Sequence, residues 1–309
     1  MESAREFVNN THALPFDIRL CNGEAAPVCL SIGGVFFAIH YLFRCAMKRL
    51  FSALAFVVIS TPVLAYDQFS LSAGFDYTTG KYGNAESTEI LYIPVTGTYE
   101  SGKLTLKLTV PYIRVSGPGG VVPGFGRMDT SSMGTGSMGM GGGGGSTTST
   151  NSGLGDVVTS AGYEVYSTKA LALDVVGKIK FGTADADKGL GTGQNDYSAQ
   201  VDGYYTLHQE TTLFATVGYK VVGKPSWVIT NNVVYGVLGL DQKLSSVTNA
   251  GVMLNVVQSA TAASSNQQDV TVYASQKLSD SLKIQAHFLK GFSDGSPDYG
   301  FGAMIISYF

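Results

Sequence analysis

The chain has 309 residues, of which 39 are glycine and only 14% are charged, and its formal net charge is −3 at pH 7. With 17 tyrosines and 16 phenylalanines against a single tryptophan, the composition favours strands over helices, and the near-neutral charge offers no basic surface of the kind nucleic acid requires. Beyond residue 65 no run of 18 uncharged apolar residues occurs, which argues against membrane helices and says nothing against membrane strands.

All three cysteines, Cys21, Cys29 and Cys45, precede Met47, so the chain beyond them can form neither a disulfide nor a thiolate metal site. From Met47 the sequence reads MKRLFSALAFVVISTPVLAYDQ. Lys48 and Arg49 form a basic start, Leu50 to Ile59 an apolar centre and Val63-Leu64-Ala65 a small-residue cleavage site, the three parts of a secretory signal peptide spanning 47–65. Cleavage is expected after Ala65. Residues 1–46 then read as a mis-assigned N-terminal extension, with Met47 the true start. The alternative is an anchor over Val28 to Phe43, but its 16 residues are short for a span.

From Tyr66 onward, segments of about ten residues carry apolar side chains at every second position. In LALDVVGKIKF, Leu171, Leu173, Val175, Ile179 and Phe181 share one face, and Asp174, Lys178 and Lys180 share the other. Such segments predict strands near 67–77, 88–100, 103–115, 155–167, 170–182, 196–207, 211–222, 231–242, 246–258, 268–278, 281–292 and 298–309, twelve in all. Their connections alternate. ESGK at 100, STKA at 167, HQET at 208, KLSSV at 243 and LSDS at 278 are tight turns, and the connections between them are longer and richer in Gly, Ser, Asn and Asp.

An even number of strands with alternating short turns and long loops predicts an all-β fold, a transmembrane up-and-down antiparallel barrel over 66–309 in the outer membrane of a Gram-negative bacterium. A soluble sandwich or lipocalin-like barrel would show the same alternation with its oily face inward. Against that stand the aromatics near the ends of the apolar stripes (Phe69, Tyr99, Tyr112, Tyr197, Tyr219, Phe301, Phe309) and polar faces built from Gly, Ser and Thr.

Several stretches carry a resemblance: SGLGDVVTSAGYEVYS at 152–167, GKIKFGTADADKGLGTGQNDYS at 177–198, LFATVGYKVVG at 213–223, NNVVYGVLGLDQKLS at 231–245 and LKGFSDGSPDYGFG at 289–302. They resemble the bacterial outer-membrane barrel family labelled as transporters of the meta-pathway of phenol degradation. The resemblance implies a porin-like channel or uptake barrel, and its phenol label is weak guidance to the substrate. It also implies that the terminal Phe309 is read by the barrel-assembly machinery. The ending departs from the family pattern at Ser307, where an aromatic is expected and Tyr308 stands one place on.

The interior is expected to carry both signs, with Lys107, Glu164, Asp174, Lys178, Lys180, Asp202, Lys220, Asp241 and His287 as candidates for setting selectivity and many of the charges pairing across the lumen. A catalytic reading needs a histidine with a nucleophile and an orienting partner. Beyond residue 65 only His208, in a turn, and His287 remain, so an enzyme is not expected, and a lipid-modifying barrel using His287 is the weakest reading. DADKG at 185–189 opens like a calcium loop, but Leu190 and Asp196 stand where Gly and Glu are required, so a solvated loop is expected and neither metal nor cofactor. The segment 116–153, rich in Gly, Ser and Met, reads as a disordered extracellular loop, and its Met128, Met133, Met138 and Met140 lack the His or Cys neighbours of a metal site.

Eight strands leave an interior filled by side chains and sixteen or more an open channel, so about twelve predict a narrow passage. The expected function is passive passage of small solutes, aromatic or hydrophobic compounds among them, with outer-membrane lipid as the other partner. The alternative is a structural or adhesive barrel with a closed lumen.

Overall fold

The computed structural model describes Arg5 and residues 67–123, 126–127 and 148–309. The expected signal peptide, the rest of the extension before it and the four methionines of the long loop lie outside the described residues.

Strands run in chain order as β1 (Asp67–Gly80), β2 (Thr88–Ser101), β3 (Leu104–Gly117), β4 (Val121–Val122), β5 (Gly126–Arg127), β6 (Ser149–Leu154), β7 (Val157–Ser167), β8 (Leu171–Phe181), β9 (Asp196–His208), β10 (Thr211–Val221), β11 (Val233–Lys243), β12 (Thr248–Val257), β13 (Gln267–Ser279), β14 (Leu282–Gly291) and β15 (Tyr299–Tyr308). The wall strands form one antiparallel sheet in which consecutive strands pair, except that β3 pairs with both β6 and β7, and β4 and β5 form a separate small hairpin. β1 joins β15 through ten residue pairs from Ser70↔Tyr308 to Thr79↔Tyr299, which closes the sheet and removes its edges. The last backbone amide, that of Phe309, donates to the Phe69 carbonyl at 2.9 Å.

The wall has twelve staves because β6 and β7 are two halves of one. β3 pairs with β6 over 112–117 and with β7 over 104–109. Between Tyr112↔Leu154 and Thr109↔Val158 the β6–β7 stave advances one residue more than β3, a bulge at Gly155 and Asp156. The Gly155 amide donates to the Pro111 carbonyl at 2.9 Å, and a Cβ on Gly155 would stand 2.5 Å from Ile113 Cδ1. The segment expected as loop over 116–153 therefore gives residues at both ends to the wall. STNSGL at 149–154 carries no apolar stripe, and its strand state comes from the ladder with β3.

Alternation holds around the barrel. On β10, Thr212, Phe214, Thr216 and Lys220 are buried inside, while Val217 and Tyr219 face outward and are exposed. Outward residues elsewhere, such as Leu108, Val175, Leu238, Val272 and Ile305, are large, apolar and exposed, a surface suited to hydrocarbon and not to water. Tyr99, Tyr163 and Tyr205 stand outward near the short-turn end, and Tyr112, Tyr219 and Tyr299 near the long-loop end, giving two aromatic girdles.

Inside, aromatic rings lie flat along the wall over glycines. Phe214 is opposite Gly239, Tyr235 opposite Gly218 and Tyr273 opposite Gly251, and a Cβ on any of the three glycines would collide with the ring it faces. Glycine thus serves the packing of the interior.

Candidate functional site: the barrel interior

The interior divides by height. At the short-turn end three carboxylates stand in one row of the ladder: Glu164 on β7 opposite Asp174 on β8, and Asp174 opposite Asp202 on β9. The Arg5 guanidinium meets the first two, with Nε 2.8 Å from Asp174 Oδ2 and Nη2 3.0 Å from Glu164 Oε2 and 3.1 Å from Asp174 Oδ1. Its carbon lies 5.2 Å from the centroid of the Tyr204 ring. Asp202 is held by neutral donors, accepting from Gln200 Nε2 at 2.7 and 2.8 Å and from the Thr216 hydroxyl at 2.6 Å.

Beside this row an apolar cluster of Ala172, Tyr204, Phe214, Val237, Met253 and Tyr273 coats the wall from β8 to β13. Polar groups are inset into it. Asp241 accepts from the Tyr273 hydroxyl and from Asn249 Nδ2, both at 2.9 Å, and Asn255 Nδ2 donates to Asp269 at 2.7 Å. On the far side His287 Nε2 lies 3.0 Å from Asp76 Oδ1. His287 thus has a carboxylate partner on one ring nitrogen, and His208 sits exposed at its turn.

Toward the long loops lies a cluster of lysines with carboxylates among them. Lys178 and Lys180 on β8 and Lys220 on β10 project inward, where Lys180 Nζ stands 2.8 Å from Asp156 Oδ2 and 4.0 Å from Asp196 Oδ2. Both carboxylates also hold loops: Asp156 Oδ1 accepts from the Ala184 amide and Asp196 Oδ1 from the Gly223 amide, each at 2.8 Å. The loops fold over the mouth. Leu190 packs with Tyr92, Ile113 and Ala184, while Val122, Val222, Val233 and Ala260 form a second apolar knot with Trp227 and Val228 against it.

These placements refine the candidates. Every one of them lies on a wall strand with its side chain inward, Lys107 half-buried on β3 opposite Thr98 and Ser160. The ion pairs seen among the described wall residues run along the wall, Lys180 with Asp156 and Asp196 and His287 with Asp76, because nearby staves bring side chains within reach. Within DADKG, Asp185, Asp187 and Lys188 are exposed, whereas around it Leu190 and Thr192 are buried and Thr183 Oγ1 donates to the Gly155 carbonyl at 3.1 Å. Asp185 in that loop is exposed and 3.0 Å from Lys188 Nζ, whose hydrogen bond and charge hold its carboxyl below the usual range. Sequence reasoning missed Asp156, which alternation counted back from Glu164 reaches, and Tyr204, Phe214 and Tyr273, which read as ordinary polar-face positions.

No protein-family model and no curated protein matches the chain. Solved structures do. The COG4313 outer membrane channel from Pseudomonas putida F1 matches with 13% identity and a TM-score of 0.57, over 81% of this chain and all (100%) of that one. The KdgM porin in complex with disordered oligogalacturonate (7% identity, TM-score 0.45, 77% and 99% covered) and the Ralstonia pickettii toluene transporter TbuX (11%, 0.38, 80% and 90%) are more distant. The first of these likenesses, with the closed ladder and the outward apolar belt, makes the fold that of a twelve-stave outer-membrane β-barrel.

Proposed function

We propose that the protein is a channel of the bacterial outer membrane, passing small solutes passively through a narrow, loop-covered lumen, with aromatic or hydrophobic compounds among them. One observation carries this reading. The barrel is inverted relative to a soluble one: its outward side chains are apolar and exposed, while Thr, Gln, Asp and Lys line a continuous inner wall. The neighbours that bear the names of channels and a toluene transporter support it, as does the family resemblance of the loop sequences. The short turns would face the periplasm and the long loops the exterior. Purified protein in planar bilayers should give small, discrete conductance steps. Silent membranes would favour the closed-lumen reading, to which the two apolar knots beneath the loops lend support.

The same reading takes residues 47–65 as a signal peptide and Phe309 as the mark read by the assembly machinery. N-terminal sequencing of protein extracted from outer membranes should begin at Tyr66; a mature chain beginning before Met47 would overturn the leader assignment.

A further inference from the structure

We propose that the acidic corner formed by Glu164, Asp174 and Tyr204 is a binding site for a guanidinium-bearing solute. The proposal rests on the channel reading and on a mature chain that begins at Tyr66 and so lacks Arg5.

Glu164 and Asp174 are direct cross-strand partners, an arrangement that is unfavourable for like charges unless a cation answers both. Asp202, next in the same row, already has Gln200 and Thr216, so the demand falls on the first two. In the structure it is met by a guanidinium. Nη2 of Arg5 bridges the two carboxylates, donating to Glu164 Oε2 at 3.0 Å and to Asp174 Oδ1 at 3.1 Å, while Nε makes an ion-pair contact with Asp174 Oδ2 at 2.8 Å without hydrogen-bond geometry. The guanidinium carbon lies over the Tyr204 ring, 5.2 Å from its centroid. Two carboxylates reached by different nitrogens of one flat, delocalised cation, with an aromatic ring against it, suit guanidinium better than a compact ammonium.

Tyr204 is the second, independent sign. Its side chain is 1% exposed, yet its hydroxyl has no hydrogen-bond partner in the structure, so a buried polar group stands open on the very ring that faces the cation. Both carboxylates keep some access to the lumen, with side chains 20% and 12% exposed. A solute entering past the lysines of the long-loop end would meet this corner last, near the short turns. Arg5 stands where the guanidinium of that solute would stand.

The test is calorimetric titration of detergent-solubilised protein, purified from outer membranes and sequenced at its N-terminus, with agmatine and, for comparison, putrescine, which carries amines without the guanidinium. Agmatine should bind saturably and several-fold more tightly than putrescine. The double substitution Glu164→Gln, Asp174→Asn keeps the shape and removes the charge, and should weaken agmatine binding by at least about tenfold, while Asp280→Asn at an exposed turn should leave it unchanged. Correct folding of each variant is checked by its heat-modifiable mobility on gels. Agmatine binding no tighter than putrescine, or equal binding by the folded double variant, would overturn the site. The titration requires no conductance and the N-terminus is read directly, so failure of the channel reading or of leader removal would appear in a different measurement.

Discussion

Replacing Asp156 with alanine should lower the stability of the barrel by about 3–5 kcal/mol, the range for breaking a buried ion pair from one side. Lys180 and Asp156 each have side chains only 1% exposed and meet at 2.8 Å. Without Asp156 the Lys180 ammonium loses the carboxylate 2.8 Å away, and Asp196 stands farther off at 4.0 Å. The same change removes the acceptor for the Ala184 amide, one of the ties that hold the 182–195 loop over the mouth. Two readouts follow: a fall in the urea midpoint of refolded protein, and faster tryptic cleavage after Lys188, whose side chain is already 55% exposed. Asp156→Asn keeps an acceptor for the amide and should loosen the loop less than alanine does. Adding Lys180→Met to Asp156→Ala should recover much of the lost stability, because removing both charges abolishes the burial cost that removing one exposes. A midpoint for Asp156→Ala unchanged from the parent would mean that water reaches Lys180 freely.

The wall was legible in the sequence for a local reason. A strand facing lipid outside and polar side chains inside must alternate, and LALDVVGKIKF and TLFATVGYKV do so without interruption, so β8 and β10 stand within a residue or so of their expected ends. Turn lengths supplied the up-and-down order. The fourth stave was less legible because STNSGL is small and polar on both faces; only its pairing with Tyr112 to Gly117 makes it a strand. The interior was legible as a list of side chains and not as an arrangement. Which lysine meets which aspartate depends on register between staves and on a one-residue bulge, and neither leaves a periodic trace. The folded loops were hidden too. Leu190 looks like an isolated apolar residue, and Trp227 and Val228 part of a short apolar run between polar segments, until the barrel gives them a wall to pack on.

Deleting Phe309 should reduce the amount of assembled barrel in the outer membrane severalfold while leaving the conductance of the molecules that do assemble unchanged. The thermodynamic loss is small. Phe309 contributes one amide donated to Phe69 and one ring pair with Phe69 at 5.9 Å, at the very end of a seam that ten further residue pairs already close. Together these are worth about 1–2 kcal/mol. In vitro refolding of the truncated chain should therefore succeed, with a modest drop in midpoint. A large loss in cells beside a small one in vitro separates recognition of the terminus during assembly from a role in holding the seam. Phe309→Tyr preserves the ring and the amide and should assemble nearly as well as the parent. Ser307 makes the prediction sharper: it occupies an outward position opposite Leu71 and Leu282 where a larger apolar side chain would add to the lipid-facing stripe, so Ser307→Phe should raise assembly if the terminus is read by its aromatic pattern. Normal membrane levels of the Phe309 deletion would show instead that this barrel closes without its last residue being read at all.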